Sequence, residues 1–192
     1  MTPATPSGRP PGRPRAGIDA VVFAATLRTI HELGYAGATM DRIAAAAGVA
    51  KTTLYRRWES KGALIVDCIL DAFGPLRPES ADRVEVLSSA IRLAAAKIGE
   101  PGLAAAFAGV FVDAISDPAL REVLSTRLQA PYLAVLQEAL GEPEHRVLLF
   151  IDVVVGTLLH RMGMTGVPMV DADVDALTAM VLREFADSGD PA

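Results

Sequence analysis

Residues 39–58 constrain this chain more than any other stretch, reading Thr-Met-Asp-Arg-Ile-Ala-Ala-Ala-Ala-Gly-Val-Ala-Lys-Thr-Thr-Leu-Tyr-Arg-Arg-Trp. Met40, Ile43, Ala44 and Ala47 recur at i, i+3, i+4 and i+7, one apolar stripe of an α-helix. Thr39 stands just ahead of the stripe, where its hydroxyl can accept a bond from an otherwise orphaned N–H. Gly48 follows directly, where a helix end needs a positive φ that a Cβ would oppose. A second short helix then starts near Lys51. Helix, tight turn and second helix with a cationic outer face is the layout of a helix-turn-helix DNA reader.

The second helix can be read by geometry. At about 100° per residue, Leu54 and Trp58 lie together at i, i+4 and form the buried edge. The opposite direction belongs to Arg56, flanked by Thr52 and Thr53. Tyr55 and Arg57 occupy the shoulders, and Lys51 stands at the N-terminus. A base-reading side chain must project away from the core, which makes Arg56, Thr52 and Thr53 the leading readers. Arg forks onto guanine O6 and N7, and Thr offers a hydroxyl and a methyl. Tyr55, Arg57 and Lys61 suit phosphates, which fix register without carrying sequence information. The plain alternative is a solvated basic helix on an ordinary bundle.

Charge distribution favours the DNA reading. The whole chain of 192 residues carries a net charge of −5. Residues 1–61 hold nine Lys/Arg against four Asp/Glu, giving +5, and the remainder holds nine against nineteen, giving −10. A basic head on an acidic body suits a DNA-binding module joined to a regulatory one.

Three segments organise the chain. Residues 1–17, rich in Pro, Gly, Ser and Arg, cannot form a core and read as an extended basic arm. Within it Gly-Arg-Pro-Arg resembles the AT-hook core, in which arginines such as Arg13 and Arg15 enter a narrow minor groove. A merely cationic tail is the other reading, and either adds affinity by releasing counterions. Residues 18–66 form the head, with a first helix at about 18–33 turning Phe23, Leu27 and Ile30 inward. Residues 67–192 form the body. Helices are expected at about 61–73 after a Ser60 cap, then 82–98, 102–116, 118–140, 144–163 and 172–186. Pro101, Pro118 and Pro143 sit at helix starts, where a missing N–H costs nothing, and Pro131 should kink the 118–140 helix. No strand pattern of useful length appears. The fold expected is all-α, with about nine helices.

Catalytic and metal chemistry is not indicated. His31, His145 and His160 are dispersed and none pairs with another at i, i+4. Neither a nucleophile elbow nor a phosphate-cradling loop after a strand occurs. Cys68 is the sole cysteine, so no intrachain disulfide forms, and its apolar neighbours mark it as a small buried hydrophobe. No leader and no uncharged run of membrane length is visible, so a soluble cytoplasmic protein without membrane partner, cofactor or enzymatic activity is expected.

The head resembles the DNA-binding domain of the TetR/AcrR family of bacterial transcriptional repressors. The resemblance rests on Gly34-Tyr35, Thr39, Ile43-Ala44, Ala47-Gly48-Val49, Thr53-Leu54-Tyr55, Trp58 and Lys61. The chain departs from the pattern in two ways. Trp58 stands where the family usually has Phe, and Arg56-Arg57 replace the usual Tyr or His after Tyr55, which points to heavier phosphate or guanine contact. The resemblance implies a three-helix helix-turn-helix DNA-binding domain with a C-terminal ligand-binding and dimerisation bundle. Its partners would be a double-stranded DNA operator, a small-molecule effector and a second copy of the chain.

Helix 102–116 is apolar almost all round, so burial on most sides is expected, with a partner for Asp113. By the resemblance, Phe107, Phe111, Asp113, Leu136, Met162 and Met180 are candidate effector contacts, against plain core packing. Asp152, Gly156, Arg161 and Thr165-Gly166-x-Pro168 resemble a C-terminal signature of one branch of the family. Physically, Gly156 lets two helices approach closely, and Asp152 and Arg161 are satisfied structural groups. By the resemblance, the last two helices, with Asp152, Gly156, Leu159, Leu177 and Val181, are the expected dimer interface, and they carry too much apolar surface for a monomer. The leading reading is a homodimeric, ligand-responsive repressor on a palindromic operator. An architectural A·T-binding protein and a helical lipophile-sequestering module are the alternatives.

Overall fold

A computed structural model of the chain describes residues 15–186 and shows helices alone among them. Arg13 and the side chain of Arg15 lie outside what is described. The helices are α1 (Arg15–Gly37), α2 (Met40–Ala47), α3 (Lys51–Arg57), α4 (Lys61–Phe73), α5 (Arg83–Ile98), α6 (Leu103–Ser116), α7 (Pro118–Val123), α8 (Ala130–Leu140), α9 (Glu144–Thr165) and α10 (Asp171–Ala186). A π-helical segment, Leu124–Gln129, joins α7 to α8 without a break, so the described residues hold nine helical rods.

Local chemistry explains most ends. Thr39, Ser60, Asp82 and Asp117 each accept a backbone N–H at the start of α2, α4, α5 and α7. Gly48 closes α2 at φ 65°. In α1, Gly34 at φ 72° breaks the rod, so Tyr35–Gly37 form a separate last turn, a break the periodicity of the first helix did not reveal. Pro131 does not simply kink its helix. It has no N–H to give, and its ring crowds the carbonyl one turn back, and the widened π turn immediately upstream accommodates both.

The head packs α1, α2 and α3 around Ile30, Ile43, Leu54 and Trp58. Thr26 and Thr29 are buried in α1 and donate to the carbonyls of Val22 and Ala25, so no polar group is left orphaned there. The boundary expected at residue 66 falls inside α4. That helix buries Leu64, Ile65, Val66, Cys68 and Ile69 between α1 on one side and α5, α6 and α7 on the other. Burying each such side chain contributes roughly 1.5–3 kcal/mol. Head and body therefore share one continuous core.

Candidate nucleic-acid interface and effector cavity

The turn between α2 and α3 fixes how α3 is presented. The N–H groups of Gly48 and Val49 bond back to carbonyls of Ala45 and Ala44, which rotates the chain so that α3 starts at Lys51. Leu54 and Trp58 then face inward. Trp58 packs edge-on against Phe23 at 5.8 Å between ring centroids, and its indole N–H donates to Asp67 at 2.8 Å. The larger ring in place of Phe thus gains a polar anchor on α4.

With that edge held inside, Lys51, Thr52, Tyr55 and Arg56 are exposed on the opposite face, and Thr53 is half-buried. Thr39 caps α2 and stays exposed beside them. Arg56 forms no ion pair or hydrogen bond among the described residues, whereas the other cations are engaged. Lys51 pairs with Asp41. Arg57 pairs with Asp19 on α1 and lies over the Trp58 ring at 5.9 Å. Lys61 donates to the Tyr35 carbonyl at 3.1 Å and sits 3.7 Å from the centroid of that ring. Arg57 and Lys61, expected at phosphates, are thus also engaged within the fold. Both brace α3 and α4 against α1, leaving Arg56 as the projecting guanidinium.

Tyr35 also joins head to body. Its hydroxyl donates to Asp113 on α6, and burial, with that carboxylate beside it, pushes its pKa well above the ordinary tyrosine value. Two glycines let α6 come this close to α1. At Gly102 (φ 84°) a Cβ would stand 2.2 Å from the Leu27 carbonyl oxygen, and at Gly109 it would stand 2.0 Å from the Tyr35 ring. Asp113 is exposed and its partner is this tyrosine, so it does not face a cavity. Nor is α6 buried on most sides. Val112 is 65% and Ile115 76% exposed, because the inner face is made of Leu103, Ala106, Phe107, Val110 and Ala114.

The body holds a half-open cavity of about 450 Å³, a volume suited to a drug-sized molecule. Phe73, Phe107 and Phe111 form a chain of edge-to-face contacts at 5.5 and 5.6 Å, and Tyr132 meets Phe73 at 6.3 Å. Leu136 and Leu124 line it further, with Ile151, Val155 and Leu159 from α9. Phe107, Phe111 and Leu136 thus come together as expected. Met162 and Met180 do not. Met162 packs against the core, and Met180 is 61% exposed on α10. Asp152, Gly156 and Leu159, expected from sequence at a dimer interface, line this cavity, with Asp152 and Gly156 exposed. A Cβ on Gly156 would meet nothing within 4 Å, so the residue makes no close helix approach within the chain. Leu177 and Val181, expected at the same interface, are buried at the floor of a second groove on α10. Arg161 has the partner expected of it, Asp173 at 3.2 Å, while Asp152 has none among the described residues.

Along the exposed stripe of α9 that also holds Asp152 and Gly156, Leu149 and Val153 stand with Met180 and line that second, apolar groove with α10. By length and composition α9 is apolar enough to cross a membrane, yet its inner side packs on α5 and α8.

Comparison with known proteins bears on the head first. The profile of the family described as bacterial regulatory proteins, tetR family, matches residues 22–68. An uncharacterized HTH-type transcriptional regulator of Mycobacterium tuberculosis is 29% identical over 143 residues, covering 73% of this chain and 68% of that protein. The fatty acid degradation regulator FadR of Bacillus halodurans superposes with a TM-score of 0.67 at 18% identity, covering 90% of this chain and 96% of that one. FadR of Bacillus subtilis, solved in complex with stearoyl-CoA, gives 0.65 at 21%, covering 90% and 99%. At these identities the structural likeness establishes the fold.

Proposed function

We propose that this chain, which belongs to the TetR family of bacterial DNA-binding transcriptional regulators, is a repressor that binds a palindromic operator as a homodimer and responds to a small lipophilic effector. The observation that carries the reading is the exposed face of α3, where Thr52, Tyr55 and the unpaired Arg56 project opposite the buried Leu54 and Trp58. Arg56 and the threonines read bases, and Tyr55, Lys51 and Thr39 contact the backbone.

One recognition helix reads only a few base pairs, so useful specificity needs two heads about 34–36 Å apart. The exposed apolar strip of Leu149, Val153 and Met180 supports pairing through α9 and α10. The cavity supports an effector site. A neighbour of the same fold holds stearoyl-CoA, and the cavity here is lined almost wholly by apolar side chains. An effector there can shift head spacing only by its preference for one spacing over another. Tyr35 over Gly109 and the α4–α7 contact, where Gly62 meets Leu120, are two of the joints that can carry such a shift.

Selection of binding sites from random duplex DNA with the full chain tests the reading. The expected product is an inverted repeat whose half-sites lie one helical turn, or a multiple, apart. Recovery of A·T-rich DNA without a repeat would favour an architectural protein and overturn the repressor.

A further inference from the structure

The polar groups of the cavity point to a ligand class, an inference that rests on the effector-site reading above. The lining carries one carboxylate, Asp152, and one guanidinium, Arg121. Arg121 is engaged, since its Nε donates to the Ala114 carbonyl at 3.1 Å and its Nη2 to the Ile115 carbonyl at 2.9 Å. Those carbonyls end α6, where the helix dipole offsets the positive charge. The Tyr132 hydroxyl is engaged in the same way and donates to the Gly74 carbonyl. Two of the donors that could hold a carboxylate or phosphate head group are thus already committed.

The acceptors are not. Asp152 has no ion pair or hydrogen bond among the described residues and stands exposed at the mouth of the cavity. Ser125 and Gln129 add neutral oxygens along the π turn. Phe73, Phe107, Phe111 and Tyr132 add ring faces, which attract cations through their quadrupoles. The body that surrounds the site has a net charge of −10 beyond residue 61.

We infer that the cavity takes lipophilic cations, with the rings enclosing the hydrophobic body and Asp152 neutralising the charge at the mouth. Oxygen-headed anions of equal size are disfavoured, because Asp152 repels them and the two strongest donors of the lining, Arg121 and Tyr132, are already bonded.

Tetraphenylphosphonium and tetraphenylborate test this directly, since they are nearly isosteric and opposite in charge. Calorimetric titration into the full chain should show the phosphonium bound more tightly. Asp152→Asn should weaken it about five- to tenfold, the range of a partly solvated charge pair with cation–π support. Asp175→Asn, which removes an exposed carboxylate paired with Arg92 outside the cavity, should leave phosphonium binding unchanged. The phosphonium should also release labelled operator DNA. Tighter binding of the borate, an equal loss in both variants, or binding of neither ion would overturn the cation assignment. Operator binding by the ion-free protein is scored in the same series, so failure of the repressor reading would show separately.

Discussion

Gly109→Ala probes the joint between head and body. A methyl group at residue 109 would stand 2.0 Å from Cδ2 and 2.1 Å from Cγ of Tyr35. Ordinary carbon contacts lie near 3.5–4.0 Å, so the ring would have to retreat by about 1.5 Å. It is not free to do so, because its hydroxyl is bonded to Asp113 and Lys61 sits 3.7 Å from its centroid. Overpacking of this kind costs about 1–3 kcal/mol. Breaking the hydroxyl–carboxylate bond adds about 0.5–1 kcal/mol, at the low end because Asp113 is exposed. Against this, Ala is favoured over Gly inside a helix by about 1 kcal/mol. The net expectation is a loss of about 2 kcal/mol, or ~4–8 °C in Tm for a chain of this size. Urea and thermal unfolding measure it. A double-mutant cycle with Tyr35→Ala sharpens the test, since without the ring the same Gly109→Ala change should become stabilising by about 0.5–1 kcal/mol. A Gly109→Ala protein as stable as wild type would refute the argument and show that α6 approaches α1 less closely.

Three further outcomes follow from the same contacts. Arg57→Ala and Lys61→Ala should lower stability by about 0.5–1 kcal/mol each, given their partly exposed partners. The salt dependence of DNA binding should change by less than one phosphate contact, and a full unit of lost slope would show that these cations leave their partners for DNA. The Tyr35 pKa is raised in the fold, so the joint is fully present below the ordinary tyrosine value near 10 and is lost as pH rises above it. Alkaline unfolding of wild type against Tyr35→Phe should show the difference only there. Cys68 is 1% exposed and burial pushes its thiol pKa well up, so a thiol reagent should react with it only at the rate of unfolding.

What the sequence made legible was local. Thr39, Gly48 and Ser60 act within a few residues of themselves, and the period of Met40 to Ala47 and the Leu54–Trp58 pair have one solution on a helix. What escaped depends on partners distant in sequence. Lys61 meets Tyr35 across 26 positions and Tyr35 meets Asp113 across 78, and no spacing rule joins them. The uniform apolarity of α6 concealed which side is inner, because alanine and glycine fit either a buried seam or a bare surface. A similar ambiguity on α9 concealed that Asp152, Gly156 and Leu159, expected at an interface, border the cavity, since that helix has apolar residues on two sides and a period alone ranks neither first.

The central claim is that α3 reads sequence through Arg56, and the specificity ratio measures it most directly. Wild type and Arg56→Ala are titrated against the selected operator and against random duplex at the same salt concentration. The account predicts that wild type prefers the operator by about 10³-fold or more. In Arg56→Ala, operator affinity should fall by about 1–3 kcal/mol with little change on random DNA. Equal affinity of wild type for the two DNAs, or an Arg56→Ala protein that keeps the full ratio, would contradict it.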